Sequence, residues 1–357
     1  MLPLASRLVA LAGAAALLVA GPSTTVRAAG GPTGPAASAP TSRCFGAAAH
    51  DASAKCRDPK LRLTVLPTPE DALLEPNGRC TPVGQTKILL PCAFGVAKKK
   101  ADAVVALVGD SHASHWRAAL EDTAQERNWR GISITRSSCP FSRAVARLDD
   151  PGDQQACRDW NRASLAWFTA HPRVHTVFVS EHSGGRVLVP AGSTTERTQV
   201  AGYLAVWKAL PASVTRIFVI RDTPRNASGT ADCVERAMAA KKPAGPACAV
   251  PLKTALRPDP AVTAAAQAPG DRVKVVDLTS FMCSSRLCLP VIGGALVHKD
   301  IDHLTQTFSA SLGPFLTRRV VALGVPGAPE TGGAQPAAPA PAVAQGGRDG
   351  GASGLKK

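Results

Sequence analysis

From residue 101 onward, short apolar runs rich in β-forming residues alternate with longer stretches of helical character. This alternation leaves few architectures open. The runs are Ala103–Val108, Gly131–Thr135, Val174–Val179, Val214–Ile220 and Arg272–Asp277. Helices are expected between them near 113–127, 158–171, 194–211 and 258–267, with a last one from about 304 to 322. Strands that are largely apolar along their length are buried on both faces, and strands separated by helices pair in parallel. The expected fold class is α/β: a three-layer α/β/α sandwich around a five-stranded parallel sheet. Such sheets place their sites beyond the carboxyl ends of the strands.

Outside that region the texture changes. Arg7 precedes Leu8–Ala20, an uncharged Ala/Leu/Val-rich run of 13 residues. A membrane span needs about 20 apolar residues, so residues 1–29 read as a signal peptide, with small residues near Ala28 suiting cleavage. Residues 30–43 are rich in Gly, Pro, Ala, Ser and Thr and read as a flexible linker. Residues 44–100 hold four cysteines and form a disulfide-pinned lead-in without a large core of its own, with a short strand expected at Lys87–Leu90 and a solvated turn at Lys98–Lys100. The folded domain then spans 101–324, and 325–357 is a disordered Pro/Ala/Gly-rich tail. The expected location is secreted or extracytoplasmic, at the cell envelope.

The ten cysteines support export. Their count is even and they fall into successive close pairs: 44 with 56, 80 with 92, 139 with 157, 233 with 248, 283 with 288. An exported chain with this pattern is read as disulfide-stapled, and nearest-neighbour pairing is expected. No C-x-x-C and no Cys/His set of zinc-finger spacing is present, so a metal site is not expected. The formal net charge is +15, yet aromatic residues make up only 4% and no nucleic-acid-binding motif occurs. Nucleic acid is therefore not an expected partner. The charge suits attraction to an anionic cell envelope, and equally well serves solubility.

The strongest chemical signal is Gly109-Asp110-Ser111-His112, where the first strand stops and a helix begins. Gly109 permits a tight turn. Ser111 is presented at the strand end with its N–H at a helix start, where negative charge is favoured. Serine needs a base to act as a nucleophile, and the base needs an orienting acid. Asp300-Ile301-Asp302-His303 lies just before the last helix, so the two loops can meet at one sheet edge. Ser111, His303 and Asp300 are the expected catalytic residues. Each has a rival reading: Ser111 as a helix cap, His298 as the base, Asp302 as the acid. Asp110 is expected to brace the turn by hydrogen bonds. His112 and His115 line the site mouth or pack, or else bind a metal with nearby acids. Asp222 and Arg225 form an internal ion pair, or Arg225 steadies an ester oxygen. Trp116 and Trp160 belong to the core or its rim.

Several of these blocks together resemble the SGNH (GDSL-like) hydrolase superfamily, and most closely the SGNH domains fused behind acyltransferase-3 membrane domains. The resemblance rests on Val108–Ala113, Ser137-Ser138-Cys139-Pro140, Asp222-Thr223-Pro224-Arg225, the pair Cys283 and Cys288 with Gly293-Gly294, and Asp300–Thr305. It spans about residues 90–322. It implies an SGNH hydrolase/flavodoxin-like sandwich over the 101–324 domain and a Ser-His-Asp triad. In the places where the superfamily takes further oxyanion donors, this chain has Thr135–Cys139 and Glu181–Gly184. The expected oxyanion and substrate-binding groups are therefore the N–H groups of Ser111, Ser138 and Gly184, with Arg225.

The expected function is a serine esterase or O-acyltransferase acting through an acyl-enzyme on acyl, chiefly acetyl, esters of envelope carbohydrate. No cofactor is required. The substrate is an acylated carbohydrate or small acyl ester, and a membrane acyltransferase is a candidate partner for what reads as a free-standing domain. The rivals are a non-catalytic envelope-binding module that keeps the fold and a metal-dependent hydrolase.

Overall fold

Residues 42–54 and 56–325 are described by the structure, which is a computed structural model. The expected signal peptide, nearly all of the linker and all of the tail after Val325 lie outside the described residues. The strands, in chain order, are β1 Thr81–Pro82, β2 Cys92–Gly95, β3 Ala103–Gly109, β4 Trp129–Thr135, β5 Val174–Ser180, β6 Arg216–Ile220, β7 Val250–Pro251, β8 Val273–Val276, β9 Leu287–Cys288, β10 Val291–Ile292 and β11 Ala295–Leu296. The five expected runs became β3, β4, β5, β6 and β8. They pair in parallel, with Leu107 opposite both Ser133 and Phe178. The full sheet has seven strands in the order β1-β2-β4-β3-β5-β6-β8.

Two strands of this sheet were not expected, nor were the short β7, β9, β10 and β11 outside it. β1 and β2 come from the cysteine-bearing lead-in and add antiparallel to the β4 edge. The lead-in thus has no sheet of its own and completes that of the main domain. The strand expected at Lys87–Leu90 is absent. There the Thr86 hydroxyl accepts the N–H groups of Ile88 and Leu89 at 3.2 and 2.8 Å. A side chain that captures backbone donors makes a turn instead of a ladder. The Lys98–Lys100 turn is present.

The helices are α1 Pro69–Ala72, α2 Ser111–His115, α3 Arg117–Glu126, α4 Pro151–Ala170, α5 Thr195–Ala209, α6 Thr230–Ala239, α7 Ala244–Ala247, α8 Leu252–Ala255, α9 Pro260–Gln267 and α10 Gln306–Ala322. The expected helix 113–127 is divided at Trp116 into α2 and α3. α4 starts seven residues earlier than expected because Asp150 caps it, accepting the Asp153 N–H at 2.8 Å, with Pro151 at the first position.

Alternation along the central strands builds two cores. Val105, Leu107, Phe178, Phe218 and Val276 face one side with Leu120 of α3 and Phe308, Leu312 and Leu316 of α10. Ala106, Val108, Val177, Val179 and Val219 face the other, against Trp160 and Phe168 of α4, Val206 and Trp207 of α5, and Ala264 of α9. This is the three-layer sandwich. Connectivity reverses at β3, since β4 lies on one side of it and β5 on the other, and ligand sites form at such switch points.

All five disulfides join nearest neighbours: Cys44–Cys56, Cys80–Cys92, Cys139–Cys157, Cys233–Cys248 and Cys283–Cys288. Such a framework fits an extracytoplasmic, oxidising compartment. Among the described residues no helix is long and apolar enough to cross a membrane.

Candidate active site

At the end of β3 the chain turns sharply. Gly109 has φ +146°, and a Cβ there would fall 2.2 Å from the Ser180 carbonyl oxygen of the adjacent strand. Only glycine fits this turn. Asp110 caps α2: its Oδ1 accepts the His112 N–H at 2.8 Å and its Oδ2 accepts the His182 N–H at 3.0 Å. Its own N–H donates to Glu181 Oε2 at 3.2 Å, and Glu181 Oε1 accepts the Phe141 N–H at 2.9 Å. Asp110 thus braces the turn, as expected. Ser111 is the first residue of α2, and among the described residues its N–H has no acceptor.

The second loop is pinched shut. Lys299 N–H donates to the His303 carbonyl and Thr305 N–H to the Val297 carbonyl, both at 2.9 Å. Thr305 then caps α10, accepting the Phe308 N–H at 3.0 Å, and donates to the Leu296 carbonyl at 2.6 Å. Within the loop Asp300 Oδ1 accepts the N–H groups of Asp302 and His303 at 3.0 and 2.8 Å. His303 Nδ1 lies 2.9 Å from Asp300 Oδ2, and His303 Nε2 lies 2.8 Å from Ser111 Oγ. Three side chains from loops 192 positions apart therefore form one hydrogen-bonded line. Partial burial pushes the Asp300 carboxyl up, but the hydrogen bonds from the His303 ring and the two backbone N–H groups outweigh it and hold it at about 2.

The loop is held to the sheet by the segment after β6. Thr223 Oγ1 donates to the Asp302 carbonyl at 3.1 Å, Asn226 Nδ2 to the Asp300 carbonyl at 3.0 Å, and Asn226 N–H to the Ile301 carbonyl at 2.7 Å. Asp302 points the other way along the loop. Its carboxylate lies 3.7 Å from His112 Nε2, 3.4 Å from His182 Nε2 and 3.5 Å from His303 Nδ1. His112 in turn places Nδ1 2.5 Å from Asp222 Oδ1. Burial pushes the His112 ring down, but the charge and hydrogen bond of Asp222, with Asp302 and Asp110, outweigh it and hold the ring well above its ordinary value.

The structure brings together Ser111, Asp300 and His303 out of the expected set. The rival base His298 is buried, has no partner among the described residues for either ring nitrogen, and is pushed by burial down to about 4. Ser138 sits in an exposed turn after β4 with φ +59°, and Gly184 sits in the loop after β5 beside His182 and Arg257. Neither makes a hydrogen bond to the three residues. Arg225 is hydrogen-bonded through its backbone to Ala255 at 2.9 Å and lines a small cleft with His182, Ser183, Asp222 and Asp302. The expected Asp222–Arg225 ion pair is not formed, because both Asp222 oxygens are engaged by His112 and by the N–H groups of Ser183 and Thr223. Trp116 and Trp160 are core residues, 0% and 2% exposed.

Reading the sequence missed Glu181, Asn226 and the bridging place of Asp302. Glu181 directly follows an apolar strand, the one local signal available. Two groups among the described residues have ligand atoms near enough to share an ion: His112, His182 and Asp302, and Asp300, Asp302 and His303.

A family profile described as the SGNH domain (fused to AT3 domains) matches residues 79–318. Among solved structures, the chain is similar to the periplasmic domain of a lipopolysaccharide acetyltransferase from Salmonella ser. Paratyphi A. That likeness has 14% identity and a TM-score of 0.47, and covers 64% of this chain and 89% of that one. Curated protein sequences yield no match. The profile match spans most of the described residues and supports an acyl-transfer or ester-hydrolysis kind of chemistry, and by it the chain belongs to the SGNH family whose domains are fused to AT3 domains.

Proposed function

We propose that the chain is an exported serine esterase or O-acyltransferase acting on acyl, chiefly acetyl, esters of cell-envelope carbohydrate. The reading is carried by one observation: the unbroken hydrogen-bond line from Ser111 Oγ through the His303 ring to Asp300. An alcohol, an imidazole and a carboxylate in that order are the parts of a nucleophilic acyl-transfer site.

In the proposed reaction Ser111 Oγ attacks the ester carbonyl while His303 Nε2 takes the hydroxyl proton. Asp300, ionised down to about pH 2, keeps the other ring nitrogen as the N–H tautomer and balances the imidazolium. The oxyanion draws on the unpaired Ser111 N–H. Ser138 and Gly184 are the proposed further donors, with Arg225 steadying the substrate. His303 returns the proton to the leaving alcohol, which departs and leaves an acyl-serine. Water or a carbohydrate hydroxyl, activated by the same imidazole, then takes the acyl group and frees Ser111. None of these steps needs a cofactor.

The family's association with AT3 domains supports a membrane acyltransferase as source of the acyl group. The disulfides and the leader-like residues 1–29 support export, and the charge of +15 supports retention at an anionic envelope. The proposed bounds are 1–29 for the signal peptide, 30–43 for the linker, 44–100 for the lead-in, 101–324 for the hydrolase-like domain and 325–357 for the tail.

The test is turnover of a chromogenic acetyl ester together with labelling by a fluorophosphonate. Ser111→Ala and His303→Ala are expected to lose about 10³-fold or more in kcat, with unchanged circular dichroism. Near-wild-type turnover or labelling in Ser111→Ala refutes the assignment.

A further inference from the structure

His112 follows Ser111 in the chain yet lies behind the site, 1% exposed. Acidic groups face both of its ring nitrogens. Asp222, at the end of β6, lies 2.5 Å from Nδ1; Asp302, in the loop before α10, lies 3.7 Å from Nε2. Asp222 is built as a carboxylate, accepting the Ser183 and Thr223 N–H groups at 2.8 Å each. The other groups around the ring are Asp110 at the start of its own helix and the rings of His115, His182 and His303 at centroid distances of 5.0, 4.6 and 4.8 Å. Arg225 and Arg257 line the small cleft that Asp222 and Asp302 share, and among the described residues neither forms an ion pair with those acids. A buried imidazole with an acid at each nitrogen is most stable with both nitrogens protonated.

This matters because His303 Nδ1 faces two carboxylates, Asp300 at 2.9 Å and Asp302 at 3.5 Å. Asp302 meets two other imidazoles, the partly exposed His182 at 3.4 Å and the buried His112 at 3.7 Å, and of these only His112 has a second acid, Asp222, on its other nitrogen. One carboxylate orients a general base. A second, uncompensated, holds the base protonated, and a protonated base cannot take the Ser111 proton.

We propose that His112 is a positioning residue with a fixed positive charge: it pairs with Asp302, cancels that carboxylate's charge beside His303, and so keeps His303 neutral toward Ser111. The inference rests on the Ser111–His303 reading and adds a residue that touches no reacting atom.

The test reads the charge and its consequence separately, on the full chain. Imidazole nitrogen NMR of Ser111→Ala, which needs no turnover, is expected to show His112 with both nitrogens still protonated at a pH above the ordinary histidine value of about 6.5. A neutral His112 there overturns the proposal, as does a zinc-induced shift of its Nε2, since an imidazolium has no lone pair to offer a metal. The pH profile of kcat/KM supplies the second reading. His112→Gln keeps a donor for Asp222 but not the charge, and is expected to move the acid limb upward by about one pH unit; Asp302→Asn is expected to move it downward. An unmoved limb in Asp302→Asn, or a shift of the two variants in the same direction, overturns the proposal even if His112→Gln fails to fold. A wild type without esterase activity sinks the enzyme reading instead, and the spectrum still judges the charge.

Discussion

Four carboxylates lie buried behind the candidate nucleophile: Asp110, Glu181, Asp222 and Asp259. Each accepts backbone N–H groups, so their first task is to fix loops at the sheet edge. They are not electrically alike. Beside His112, Asp222 is held below the usual carboxylate range: burial pushes it up, and the histidine's charge and hydrogen bond outweigh that. Asp259 has no such cation; burial and the neighbouring Asp222 push it up to about 6, against the hydrogen bonds it accepts from Asp222, Val262 and Ala261. A carboxyl whose folded value lies above its unfolded one holds its proton more tightly when folded. Its contribution is fully present below about pH 4 and is lost as pH rises through about 6. Asp259→Asn removes the titration and keeps one carbonyl oxygen, which can accept the Ala261 and Val262 N–H groups while the Asp222 N–H loses its acceptor, a cost that does not vary with pH. The stability of wild type relative to Asp259→Asn is therefore expected to fall between about pH 4 and 6, read from urea midpoints across that range. A flat difference would contradict the burial argument. At this same scale the sequence made Ser111, His303 and Asp300 legible, because each sits in a short local pattern. It did not make the partners of His112 or Asp302 legible, because those come from other strand ends.

At the scale of elements, the junction between the Asp300–His303 loop and α10 does two jobs. Thr305 is fully buried, caps the helix through Phe308 and ties the loop to Leu296. Thr305→Ala removes both hydrogen bonds and is expected to cost about 1–2 kcal/mol in a denaturation curve, with a fall in kcat as His303 loses its fixed approach. Thr305→Ser keeps the hydroxyl and is expected to restore most of both. If Thr305→Ala lowers stability and leaves kcat untouched, the loop is held by the segment after β6 alone. Helix existence was readable from pattern, but α4 and the α2–α3 break show where boundaries escape it. A cap such as Asp150 and a break at Trp116 are decided by one residue each, and an apolar periodicity averages over many.

Across the whole molecule, the lead-in and the sheet fold as one piece, with β1 and β2 extending the parallel strands and disulfides closing short loops around them. The Cys139–Cys157 bridge closes an 18-residue separation, and both residues are buried against the second core. Replacing both by alanine is expected to lower unfolding free energy by about 3 kcal/mol, as is reduction of that bridge, measured from the denaturant midpoint. An unchanged midpoint would show that packing alone holds the segment. By itself the sequence determined five buried strands, the covering helices, a parallel sandwich and cysteines paired with their neighbours. These follow from burial and from contacts within a few residues along the chain. Only the tertiary structure decided that the lead-in would complete the sheet, that Asp222 would face His112 and not Arg225, and that Asp302 would stand among three imidazoles. Those outcomes depend on which strand ends lie side by side, and charges that meet across loops tens to hundreds of positions apart leave no periodic trace along the chain.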